Sequence, residues 1–113
     1  MTRSFLVTFP LLIAFAAAPL VSRADGDPKA GQEKAATCVA CHGADGIGAD
    51  PSYPTLAGQY PSYLEHALQS YRSGARQNAI MAGFAAPLSD QDIADLAAWF
   101  ASQSGPLRTA PTP

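Results

Sequence analysis

The chain has 113 residues, a formal net charge of −2 and only two cysteines. That length allows one small domain at most. The acidic balance argues against a nucleic-acid partner, which is itself a polyanion, and there is no cluster of lysines and arginines to suit an anionic membrane surface.

Met1-Thr2-Arg3 is a short basic start, Phe5 to Ala18 is an apolar run broken by Pro10, and Ser22-Arg23-Ala24 puts small residues where a signal peptidase cuts. Residues 1–24 therefore read as a secretory leader cleaved before Asp25. The mature domain is then 25–104, followed by a flexible proline-rich tail, 105–113. An uncleaved anchor is the alternative, since the uncharged run from Ser4 to Ser22 approaches the roughly 20 apolar residues a spanning helix needs. Pro10, Pro19 and the small-x-small site favour cleavage. Export would deliver the product to the periplasm with no stable membrane insertion afterwards. Removing Arg3 and Arg23 leaves five basic residues (Lys29, Lys34, Arg72, Arg76, Arg108) against nine acidic ones.

Asp27 caps the first predicted helix and Pro28 suits its first position. The helix is expected to run from Lys29 to Thr37, with Gln32, Glu33 and Lys34 outward. Gly31 costs roughly 1 kcal/mol against Ala inside a helix. Either another helix approaches closely there, or the glycine is simply tolerated near the helix start.

Cys38-Val39-Ala40-Cys41-His42 follows, and reads as C-x-x-C-H, the attachment signature of a c-type haem. Residues three and four apart on a helical turn share a face, so both thiols and the imidazole can point to one side. Two thiols there can add to the two vinyl groups of one porphyrin, leaving His42 under the iron as an axial ligand. Three other readings compete. A structural zinc site wants four ligands, and the chain offers no third cysteine and only one other histidine, His66. A thioredoxin-like C-x-x-C needs a preceding strand, where Ala30 to Thr37 looks helical. A plain disulfide is chemically available in an oxidising compartment.

Gly43 to Gly48 is too rich in glycine for regular structure, and glycine lets a backbone run close over a flat cofactor edge. It lacks the lysine and the strand of a phosphate loop. Pro51 to Gln59, fixed by Pro51 and Pro54, is an extended loop suited to covering the His42 side. The next helix starts at Tyr60-Pro61-Ser62, with Ser62 and Glu65 as an expected capping box. Leu64, Leu68 and Tyr71 form its buried stripe, His66 lies on its polar side, and Gly74 closes it in the left-handed conformation. Arg76 to Phe84 reads as a loop. Ser89 with Asp92 caps the last helix, whose stripe is Ile93, Leu96, Ala97, Phe100 and Ala101, and Gly105-Pro106 ends it. No strand pattern appears in the mature chain.

A haem iron needs a ligand opposite His42 or an open site. Without the leader, Met81 is the only methionine, and its loop position gives it no core register; a core methionine is the ordinary alternative, and His66 is the competing ligand. His/Met ligation raises the reduction potential.

Taken together, these residues resemble a class I c-type cytochrome, of the small bacterial monohaem type that is similar to one half of the dihaem periplasmic cytochromes c. Pro54-Thr55-Leu56-Ala57-Gly58 resembles that family's P-x-L-x-G segment. Gly58-Gln59, Tyr63-Leu64, Arg72 to Arg76 and Leu88 to Ile93 resemble its G-Q, Tyr-Leu, R-x-G-x-R and L-S-D-x-D-I segments. Gly31 and Trp99-Phe100 resemble the contact of its first and last helices, although Ala35 stands where an aromatic often lies. The resemblance implies an all-α fold of three to four short helices with long loops wrapped around one covalently attached haem c, bonded through Cys38 and Cys41. It implies cofactor-binding residues Cys38, Cys41, His42, Pro54, Leu56, Tyr71, Arg76 and Met81, with His42 and Met81 on the iron. The Pro54 carbonyl would take the His42 Nδ1 proton, and Leu56 would pack on the haem. Arg72 and Arg76 each either pair a propionate or stay solvated. The implied function is a periplasmic single-electron carrier, not an enzyme, a monomer or weak dimer working between redox proteins such as a membrane complex, dehydrogenase, oxidase or reductase. A permanently docked cytochrome subunit is one alternative. A haem enzyme or gas sensor with a labile sixth ligand is another, though no distal acid–base residue stands beside Met81.

Overall fold

The computed structural model describes residue 1 and residues 25–107. The expected leader, its cleavage or retention as an anchor, and most of the expected tail, including Arg108, lie outside the described residues. The order of elements is α1 (Pro28–Lys34), a 3-10 turn (Ala35–Thr37), α2 (Val39–His42), α3 (Pro61–Ser73), α4 (Ala79–Ala85) and α5 (Asp90–Ser102). Among the described residues there is no strand. The all-α expectation holds; among the described residues there are five short α-helices, because α2 and α4 are short pieces that carry no long hydrophobic period.

The termini of the elements follow local chemistry. The Asp27 carboxylate accepts from Lys29 N at 2.9 Å, with Pro28 at the first helical position. Helix α1 then tightens into the 3-10 turn instead of running unbroken to Thr37. The expected Ser62–Glu65 box at the start of α3 is absent: Tyr60 takes the cap position without a side-chain cap bond, and Pro61, which lacks an N–H to satisfy, occupies the first position. Gly74 closes α3 at φ 81°, ψ 3°. The Ser89–Asp92 box caps α5 in both directions. That helix ends at Ser102, with Gln103 extended, earlier than the expected Gly105-Pro106 stop.

Helix α5 is the spine: α1 and α3 both pack on it, and α4 packs on α3. The core is Ala35, Leu64, Leu96, Ala97 and Phe100, with Leu56, Leu68, Leu88 and Trp99 partly buried around it. The α1–α5 seam is the tightest contact. A Cβ built on Gly31 would lie 2.0 Å from the Asp95 carbonyl oxygen and 2.8 Å from Trp99 Cβ. Close approach is therefore why residue 31 is glycine. Beside it Lys34 turns in to α5 instead of standing outward: its Nζ reaches Asp92 at 2.8 Å and Asp95 at 2.6 Å. Asp95 is 3 % exposed. A buried carboxylate is tolerable only when its lone pairs are filled, and Asp95 also accepts from Asp27 N and Gln91 Nε2, each at 2.8 Å.

Candidate functional site

The site is built on one turn. Cys38 caps α2, and its carbonyl accepts from Cys41 N at 3.2 Å and from His42 N at 2.9 Å. This local helical geometry sets both thiols and the imidazole on one face. Cys38 and Cys41 form no disulfide with each other, and each is half-buried. Burial pushes the Cys38 thiol pKa up, against a weaker opposing contact from the Thr37 hydroxyl.

His42 is buried, and its Nδ1 lies 2.9 Å from the Pro54 carbonyl oxygen. A carbonyl only accepts, so Nδ1 must carry the proton and Nε2 keeps a free lone pair. That bond fixes the tautomer and anchors the ring at Nδ1, as in metal-ligating histidines generally. The loop that supplies the carbonyl is itself anchored. Leu56 N and Ala57 N both donate to the Gly46 carbonyl, at 2.7 and 3.1 Å. The Asp50 carboxylate holds Ser52 N at 2.8 Å and Ser52 Oγ at 2.6 Å.

This donor set fits an iron porphyrin: two thiols for the vinyl groups and one imidazole nitrogen for the metal. It does not fit zinc alone, because among the described residues no three His, Cys, Asp or Glu side chains converge on one point. The thioredoxin-like reading fails too, since a 3-10 turn, not a strand, precedes Cys38.

The other predicted residues fall in two groups. Leu56 packs half-buried against the core, as do Cys38 and Val39. Tyr71 is half-buried on α3, and the Arg76 guanidinium stacks over its ring at 4.9 Å. A hydrogen bond to Tyr63 and the Tyr71 contact push the Arg76 pKa up, keeping it charged. Arg72 points elsewhere: it donates to the Leu88 carbonyl at 2.8 Å and to Asp90 at 2.6 Å, tying α3 to the start of α5. His66 is exposed and sits 3.5 Å from Ser70 on its own helix.

Met81 corrects the sequence reading in one respect. It lies on α4, not in a loop. The Asn78 side chain starts that helix by accepting from Ile80 N at 3.1 Å and Met81 N at 3.0 Å. Met81 is half-buried, between the exposed Ile80 and Phe84. Sequence reasoning also passed over Tyr53, whose ring meets His42 edge-on with centroids 6.5 Å apart. An aromatic directly before Pro54 was the available signal.

Comparison with known proteins agrees with this geometry. Residues 28–104 match the family described as Cytochrome c. The chain is 52% identical over 81 residues to cytochrome c-554(548) of Halomonas halodenitrificans, covering 69% of this chain and 98% of that protein. It is 51% identical over 83 residues to cytochrome c4 of Pseudomonas aeruginosa, covering 74% of this chain but 41% of that one. The crystal structure of reduced recombinant cytochrome c4 from Pseudomonas stutzeri superposes with a TM-score of 0.68 at 46% identity, over 71% of this chain and 47% of that chain. The chain thus spans nearly all of the Halomonas halodenitrificans protein and less than half of these two cytochromes c4. With a match running through every helix and a C-x-x-C-H turn whose histidine is already in the metal-binding tautomer, the chain belongs to the cytochrome c family and carries one haem c bonded through Cys38 and Cys41.

Proposed function

We propose that the protein is a periplasmic single-electron carrier whose haem iron is held between His42 Nε2 and Met81 Sδ. The observation that carries this reading is the His42–Pro54 bond, which leaves Nε2 as the only unused ring nitrogen. The haem, when bound, supplies an iron that holds or releases one electron.

Each part of the chain has a task in this scheme. Pro54 keeps the imidazole in one tautomer and anchors it at Nδ1. Met81, raised on a helix that Asn78 starts, offers a soft neutral sulfur that favours the reduced metal and raises the potential. Leu56 supplies apolar surface, which disfavours the extra charge of the oxidised state. Arg76, held charged over Tyr71, is the better propionate partner, because Arg72 already serves Leu88 and Asp90. With both axial positions filled, the chain has no open site for a substrate, and exchange runs through the haem edge to redox protein partners.

The periplasmic assignment rests on the leader and on the relatives. Among the described residues no helix is long and apolar enough to cross a membrane. Carbon monoxide titration of the ferrous protein tests the closed site. No binding to the native protein is expected; rapid stoichiometric binding would instead favour a haem enzyme or gas sensor, with Met81 off the iron.

A further inference from the structure

We propose that Tyr53 is a positioning residue of the haem site, its ring bracing the His42 imidazole edge-on so that the axial base is restrained at a second point besides the Pro54 carbonyl. The inference deepens the carrier reading and rests on it.

The Pro54 hydrogen bond fixes the His42 ring at one atom only. A ring held at one atom can still tilt about that bond. The Tyr53 ring supplies a second restraint, meeting the imidazole at an interplanar angle of 63° with centroids 6.5 Å apart, an edge-to-face pairing.

The loop holds Tyr53 in place from both sides. Tyr53 N donates to the Asp50 carbonyl at 3.0 Å, inside the turn that the Asp50 carboxylate pins through Ser52. A Cβ on Gly48 would lie 2.3 Å from the Tyr53 carbonyl oxygen, so the chain can close this tightly only over a glycine. On the other side Pro54 restricts the backbone of the residue before it. Tyr53 is 40 % exposed, too open to be explained as core filling.

The consequence is that the imidazole plane is held by two restraints, the Pro54 carbonyl at Nδ1 and the Tyr53 ring beside it.

The test uses the haem-loaded full chain with Tyr53→Phe and Tyr53→Leu, the latter keeping apolar bulk so that folding is preserved. The readout is the spread of the ferric haem-methyl proton resonances, which follows the imidazole plane. Tyr53→Phe, which keeps the ring, is expected to keep the spread, and Tyr53→Leu, which removes it, is expected to change the spread. A Leu variant with the wild-type spread overturns the proposal, and should that variant fail to accumulate, a Tyr53→Met variant with the wild-type spread overturns it. Wild-type protein without covalent haem sinks the carrier reading and this one together; loaded protein with indifferent variants sinks this one alone.

Discussion

Gly31→Ala sets two known effects against each other. Inside a helix alanine is better than glycine by about 1 kcal/mol, so from α1 alone the substitution should stabilise. The α1–α5 seam reverses this. The new methyl would meet the Asp95 carbonyl oxygen at 2.0 Å, its carbon at 2.6 Å and Trp99 Cβ at 2.8 Å. Two of those atoms are backbone of a 13-residue helix, which cannot step aside as a side-chain tip can. The helices must separate, and overpacking of this kind costs typically about 1–3 kcal/mol. Separation also strains the Asp27 N to Asp95 bond, one turn away. The net expectation is a loss of up to about 2 kcal/mol, seen as a fall in Tm of up to roughly 15 °C for a domain of this size. Thermal unfolding of the haem-loaded protein, followed by far-ultraviolet circular dichroism, reads it. Gly83→Ala in α4 is the control: nothing lies within 4 Å of its Cβ, so it should be neutral or stabilise by up to about 1 kcal/mol. A Gly31→Ala protein at least as stable as wild type would refute the close-packed seam.

The Lys34 network predicts a pH dependence at both ends. Lys34 holds the Asp92 and Asp95 carboxyls below the usual carboxylate range, so their stabilisation is complete above the unfolded value of about 3.9 and is lost as pH falls through the lower folded values. Lys34 itself is raised above 10.5, so its share is complete below that value and is lost as pH rises through the folded pKa. Lys34→Met should lower stability at neutral pH and flatten the acid limb of an unfolding curve; an unchanged acid limb would contradict the pairing. Met81→Ala should lower the reduction potential and let carbon monoxide bind the reduced iron, and an unchanged spectrum and potential would remove Met81 from the iron. Cys38→Ser with Cys41→Ser should abolish haem staining after denaturing electrophoresis, and persistent staining would contradict attachment through these sulfurs.

The part of the site most legible in sequence was Cys38 to His42, because covalent chemistry dictates spacing over five consecutive residues. The α5 cap was equally legible, since Ser89 and Asp92 satisfy each other locally. What escaped was either short or distant. Helix α4 has seven residues with Gly83 inside, too few for a hydrophobic period to stand out, although Asn78 was a cap signal in plain view. At α3 two start signals overlapped, and the conformational bias of Pro61 won over the Ser62–Glu65 pattern. Lys34 read as a solvated residue because its partner Asp95 lies 61 positions away. The contact between Tyr53 and His42 is of the same kind, set by a loop reversal that no periodicity announces.

The central claim is a single porphyrin fixed by two thioethers with nitrogen below and sulfur above its iron. The optical spectrum of the purified oxidised and reduced protein tests it most directly. A covalent c-type haem spectrum at one haem per chain, with the weak far-red sulfur-to-ferric-iron band in the oxidised form, is the predicted result. A colourless protein would contradict the attachment, and a haem protein lacking the far-red band would contradict the sulfur ligand.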